Sequence, residues 1–207
     1  MSHSVRRFLV LACPLFVLAA CAVGSRLYIS GVPSRPGGPQ RPAAAPQAVV
    51  LDFAYVPVEP DVVGRDYDNV RPIVWKGEPG KAMADLVASV LAESGVATVR
   101  AAADSSSLDS VPVRISGNVR RFEVNARRRG SVKVVNEAAV SLSVTAAGGS
   151  LPAPVSFAST SSNSVEDVFV TPDGLRQVLF SSANAAAEET ARRLIEAGVV
   201  VPPPSGK

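Results

Sequence analysis

The sequence predicts an α+β domain: a two-layer sandwich of a mainly antiparallel sheet, about four to five strands wide, with two helices packed on one face. Three observations carry this expectation. The stretch 113–146 alternates apolar and polar residues with period two, the pattern of half-buried strands. Two other stretches, 81–94 and 171–197, repeat apolar residues at helical spacing, and each is followed by glycine. Between proline-rich flanks lie about 150 residues, enough for one domain with a core of its own.

Taken in order, residues 49–58 are rich in β-branched and aromatic residues on both faces and read as a buried strand. Residues 81–94 place Met83, Leu86, Val87, Val90 and Leu91 on one helical face, with Gly95 as the stop. A short strand follows at 96–101. In 113–124 the apolar positions Val113, Ile115 and Val119 change phase to Phe122 and Val124, which predicts a bulge near Arg120 and Arg121. The next strand puts Val132, Val134, Ala138, Val140, Leu142, Val144 and Ala146 on one face, with Asn136 the polar exception. Gly148 and Gly149 turn the chain into a strand at 154–161, and 165–170 reads as a further short strand. Thr171, Pro172 and Asp173 supply a capping hydroxyl, a first-turn proline and a first-turn acid. From there Leu175, Val178, Leu179, Ala183, Ala186, Ala187, Thr190 and Leu194 keep one mainly apolar face, and Gly198 ends the helix.

The N-terminus is of another kind. Arg6 and Arg7 precede an apolar run from Phe8 to Ala20, about 13 residues against the roughly 20 that span a bilayer as a helix. It ends in Leu18, Ala19, Ala20 and Cys21, which resembles the lipobox of bacterial lipoproteins. That resemblance implies a signal peptide over 1–20, cleavage before Cys21, and fatty acyl chains on the Cys21 sulfur and its new amine. More than one chain gives a firm membrane anchor. Residues 21–47 contain Pro33, Pro36, Pro39, Pro42 and Pro46 and read as a tether, ~30 Å in r.m.s. reach as a coil and ~80 Å when extended. The domain is expected over 48–198, and 199–207, with Pro202, Pro203 and Pro204, reads as a disordered tail.

The order of lipobox, proline-rich tether, leading strand, helix, long hairpin and C-terminal helix is similar to the YajG-type envelope lipoproteins. The likeness is carried by Ala84 to Val87 through Gly95 and Val96, by Val113 to Val119, by the hairpin 122–144, and by 175–187. It implies an envelope lipoprotein with no catalytic residues to carry over. Ala22 in place of an inner-membrane-retaining aspartate implies export to the outer membrane, facing the periplasm.

Cleavage before Cys21 would also remove most of the usual catalytic groups. His3, the only histidine, and Cys13 leave with the signal, and Cys21 becomes a thioether. A Ser-His-Asp triad, a cysteine nucleophile, zinc held by cysteine or histidine, and an internal disulfide are thereby excluded. No enzyme activity, metal or cofactor is expected. The 21 basic residues fall to 19 on loss of Arg6 and Arg7, against 18 acids, so the mature chain is near +1. That balance gives no support to a nucleic-acid partner.

What remains as a candidate contact is Arg127, Arg128 and Arg129 at the hairpin tip, with Arg120 and Arg121 nearby. Arginine binds phosphate and carboxylate through a bidentate fork. An anionic lipid or an acidic envelope protein is one reading; a solubilising tip that blocks edge pairing is the other. Residues 59–79, with Tyr67 and Trp75, read as a long loop of binding length, in which Ile73, Val74 and Trp75 form an extra strand or cap the core. Asp66, Asp68 and Asn69 offer oxygens there but lack the glycine and distal glutamate of a calcium loop. Glu189 and Arg193 are spaced for a helical ion pair. The expected role is a non-catalytic binding or assembly function at the envelope; the alternative is an accessory subunit of a lipid or lipopolysaccharide transport system, for which a hydrophobic groove would speak.

Overall fold

The computed structural model describes residues 25–35, 45–101, 113–149 and 151–203. In chain order the elements are β1 (Leu27–Ile29), β2 (Ala48–Leu51), β3 (Ala54–Tyr55), β4 (Val62–Asp66), β5 (Arg71–Trp75), α1 (Pro79–Glu93), β6 (Thr98–Ala101), β7 (Val113–Arg129), β8 (Lys133–Ala147), β9 (Val155–Asp167) and α2 (Pro172–Glu196).

The predicted α+β class holds, but the sheet has nine strands and is mixed, not four to five and mainly antiparallel. The reason is the length of β7. At 17 residues it outruns its neighbours. One edge pairs along its whole length with β8, which pairs in turn with β9, all antiparallel. The other edge is covered in tandem by three short parallel strands, β2, β3 and β4. β6 then extends β2, while β5 and β1 extend β4. The sheet therefore forks on that side of β7. The predicted bulge is present: the register shifts between Val119 and Arg121, leaving Arg120 as the extra residue.

Both helices lie on one face and touch each other. The alternating residues of the long hairpin face them, and Ile115, Phe122, Val124, Val140, Leu142 and Val144 are buried there. Every apolar residue expected on the two helix faces is also buried. The Thr171 hydroxyl accepts from the Gly174 N–H at 3.1 Å, so the helix starts where its cap predicts. Trp75 stacks on Phe122 with ring centroids 5.1 Å apart, and its indole N–H donates to the Gly31 carbonyl at 2.8 Å. A Cβ at Gly77 would lie 2.1 Å from the Trp75 ring, so the chain can pass the indole only as glycine.

Several boundaries differ from expectation. The stretch 49–58 is two short strands, with Val56 and Val58 fully in solvent, because Pro57 and Pro60 cannot donate to a ladder. The loop expected over 59–79 is mostly the hairpin β4–β5, and the extra strand read at Ile73, Val74 and Trp75 is present as the second strand of that hairpin. The further strand at 165–170 is the end of β9, which runs to Asp167; Val168 and Phe169 lie beyond it. Val132 falls in the β7–β8 turn and is exposed, not in the buried row. The tether is shorter than 21–47: β1 is already in the sheet, and Arg35 bridges Glu93 of α1 at 3.1 Å and Glu188 of α2 at 2.5 Å. The tail begins later than 199, since Val199 and Val200 are buried and the Val201 N–H reaches the Gln47 side chain. Among the described residues no helix is long and apolar enough to cross a membrane.

Candidate functional site

The three adjacent arginines are the last residues of β7, just before the turn at Gly130, Ser131 and Val132. Because side chains alternate along a strand, Arg127 and Arg129 share the face away from the helices, while Arg128 follows the register of Phe122, Val124 and Ala126. Each meets an acid on a neighbouring strand or turn. Arg127 Nη2 lies 2.6 Å from Glu137 of β8, and Arg129 Nη1 lies 3.0 Å from Glu166 of β9. Lys133 Nζ shares Glu166 at 2.7 Å, and Arg128 Nε approaches Asp68 of the β4–β5 turn at 3.9 Å. Hydrogen bonds and charge from Lys133, then Arg129, hold the Glu166 carboxyl below its ordinary pKa.

The tip is thus not the uncompensated positive field that its sequence promises. Four cations face three acids. Exposed pairs of this kind are screened by water and contribute little to stability, so they fix geometry more than they stabilise. The guanidinium groups remain 61–73% exposed and keep N–H donors for an outside anion.

Arg120 and Arg121 lie lower on β7, at the bulge. They do not join the tip. With Arg65, Tyr55, Tyr67, Glu59 and Glu123 they line a depression of about 320 Å³ where the sheet forks. Arg121 pairs with Glu123, which raises its pKa through that hydrogen bond, and Arg65 pairs with Glu59 at 2.6 Å. Arg120 has no ion pair among the described residues. A second cleft of about 290 Å³ lies by the start of α1, with Phe53, Tyr55, Val63 and Trp75 inside and Asp52, Asp61, Glu78 and Lys81 at its lining. Neither depression is legible in the sequence, because each is lined by several separate segments of the chain.

The oxygens considered for calcium are otherwise engaged. The buried Asp66 carboxylate accepts from Arg71 Nη2 at 2.7 Å and Nε at 3.1 Å, and from Asn69 Nδ2 at 2.8 Å. Burial pushes its pKa up, but the Asn69 and Arg71 hydrogen bonds and the Arg71 charge outweigh that and leave it below the ordinary value. Asp66 locks the β4–β5 turn. Among the described residues no group of three or more acids, histidines or cysteines is placed to hold a metal. Glu189 and Arg193 form the expected pair at 2.6 Å, and Arg192 joins from 2.6 Å. Cys21, the candidate lipidation site, lies outside the described residues.

No family model matches this chain, and no curated protein does. Among solved structures, a Xanthomonas campestris protein of family DUF330 matches with a TM-score of 0.51 at 13% identity, over 84% of this chain and 97% of its own. A minor lipoprotein from Acinetobacter baumannii matches with a TM-score of 0.40 at 11% identity, over 74% of this chain and 95% of that one. PelC from Paraburkholderia phytofirmans, a dodecamer in its crystal, matches with a TM-score of 0.37 at 17% identity, over 74% and 94%. The first shares this α+β fold; the other two are more remote. None of the three carries the YajG name, so that resemblance rests on the sequence pattern alone.

Proposed function

We propose that this chain is a bacterial envelope lipoprotein of YajG-like type, anchored through Cys21 at the periplasmic side of the outer membrane, with a non-catalytic binding or assembly role. The observation that carries this reading is the order of Arg6, Arg7, a short apolar run and Leu18-Ala19-Ala20-Cys21. Anchoring acts by raising the local concentration of the domain near a membrane partner, so modest contacts suffice. The contact surface offered to an acidic protein or an anionic ligand is the end of the sheet bearing Arg127, Arg128 and Arg129. The second reading, an accessory subunit of a lipid or lipopolysaccharide transport system, draws on the cleft beside Phe53 and Trp75. Its charged lining and modest size favour a polar or small ligand over a long acyl chain, which keeps the binding role in front.

Metabolic labelling with a radioactive fatty acid and fractionation of inner and outer membranes test the anchor. The wild type is expected to carry label in the outer-membrane fraction, and Cys21→Ser to lose both. A Cys21→Ser variant that stays labelled and membrane-bound refutes the reading. Photo-crosslinking from position 127 in the intact envelope then identifies the partner.

A further inference from the structure

The strand directions place one end of the sheet toward the anchor. β7 runs from Val113 to Arg129, and Ala126 stands opposite Asp66 of the parallel strand β4. Asp66 stands opposite Arg71, where β5 begins its return. β1 is parallel to β5 and starts at Leu27 opposite Ile73, two residues from Arg71. The chain therefore enters the fold from the same end of the sheet that bears Arg127, Arg128 and Arg129. Cys21 precedes Leu27 by six residues, which extend to no more than about 20 Å. Lipid on Cys21 thus holds that end close to the bilayer, and α2, which begins there at Pro172, carries the C-terminal residues to the opposite end.

The same end exposes apolar side chains from three separate turns. Tyr67 and Val70 come from the β4–β5 turn, Val132 from the β7–β8 turn, and Val168 and Phe169 from the segment after β9; each is 52–75% exposed. Turns are ordinarily polar, and scattered single exposures need no explanation, but five large apolar groups gathered at one end do. Val70 sits at φ +50°, a backbone region that β-branched residues avoid, and holds its side chain in solvent there. Around them stand Arg127, Arg128, Arg129, Lys133 and Arg176, paired with Glu137, Asp68, Glu166 and Asp173. Charge at this end is close to balanced, so the apolar groups supply the attraction and the exposed guanidiniums hold phosphates at the interface.

We infer that this end of the domain docks on the surface of the membrane that carries its anchor, with Tyr67, Val70, Val132, Val168 and Phe169 in the headgroup zone and the arginines on lipid phosphates. The inference rests on lipidation of Cys21 and adds an orientation: the far end of α2 points away from the bilayer.

The test uses the mature lipidated protein in vesicles of phosphatidylethanolamine and phosphatidylglycerol. Single cysteines at Val132→Cys, Phe169→Cys and Val201→Cys are labelled with an environment-sensitive fluorophore, each the sole free thiol once Cys21 is acylated. Labels at 132 and 169 are expected to shift to the blue and to be quenched by spin-labelled lipid, and the label at 201 to report water. Tip labels as wet as the one at 201 overturn the orientation, including the case in which they become protected only in the native envelope, which would mean a protein occupant. Mass spectrometry of the N-terminal peptide separates the two levels. An unacylated Cys21 overturns the lipoprotein reading itself; an acylated Cys21 with wet tip labels overturns only the docking. Circular dichroism of each labelled variant against wild type confirms that the fold is retained.

Discussion

Replacing Asp66 by asparagine removes one negative charge from a site with no solvent access and leaves its shape unchanged. The carboxylate Oδ2 accepts from Arg71 Nε and Nη2 and from Asn69 Nδ2 within 3.1 Å, while Oδ1 accepts from the Asp68 and Asn69 backbone N–H groups, so an amide must turn its NH2 toward one of these two sets of donors. Breaking a buried pair costs about 3–5 kcal/mol when the stranded charge stays dry. Arg71 is 26% exposed and regains water, which lowers the expected loss to roughly 2–3 kcal/mol. With a urea slope of about 2 kcal/mol/M the midpoint should fall by ~1–1.5 M at pH 7. The sign with pH follows from the Asp66 pKa, which folding lowers from 3.8. Such a group stabilises the fold above its unfolded value and loses that contribution as pH falls through its folded value. The gap between wild type and Asp66→Asn should therefore be full at neutral pH and close as pH drops below about 3.8. Asp68→Asn is the control, since its 3.9 Å approach to Arg128 is partly exposed and should cost less than about 0.5 kcal/mol. Urea unfolding of the acyl-free chain from Ala22, followed by Trp75 fluorescence across that pH range, measures both. Equal losses for the two variants, or a gap independent of pH, would refute the role assigned to Asp66.

Three further outcomes follow from other parts of the fold. Phe122→Ala removes a buried ring stacked on Trp75 and should cost about 3–5 kcal/mol in urea unfolding, with a changed tryptophan emission. Thr171→Ala leaves the Gly174 N–H uncapped and should cost about 1 kcal/mol; Thr171→Ser should recover most of it. Joint replacement of Arg127, Arg128 and Arg129 by serine should leave thermal stability within about 1 kcal/mol of wild type, because the pairs are exposed, while weakening retention on anionic vesicles. Unchanged retention would remove the arginines from the contact.

The sequence made legible those elements whose signals are local and long. The 15 residues of β8 repeat one pattern, and the break in phase near Arg120 and Arg121 marks the bulge where the register shifts, between Val119 and Arg121. Thr171, Pro172 and Asp173 mark the start of α2 because a cap acts within four residues. β1, β3, β4 and β5 have two to five residues each, too few for any period, and three of their pairings are parallel and non-local. The site divides in the same way. The arginine run was readable, but its neutralisation was not, since Glu137, Glu166 and Asp68 reach it from other strands or turns. The apolar turn residues leave a weaker trace: Val168 and Phe169 stand where a polar link into a helix is usual, and their composition alone reads as strand. Asn136, the polar exception in the buried row, is fully buried, and neither of its amide atoms is hydrogen-bonded among the described residues.

The pairing of β1 with β5 also has a mechanical side. Any tug on the acyl anchor reaches the fold through Leu27, and it pulls β1 lengthwise along its partner. In that geometry the rungs of the ladder share the load together and do not open one after another like a zip. Behind them, Trp75 grips the Gly31 carbonyl and Arg35 clasps both helices. With Cys21 acylated as proposed, the domain would be fastened along this ladder, and a pull on the anchor would load it in shear without peeling it apart.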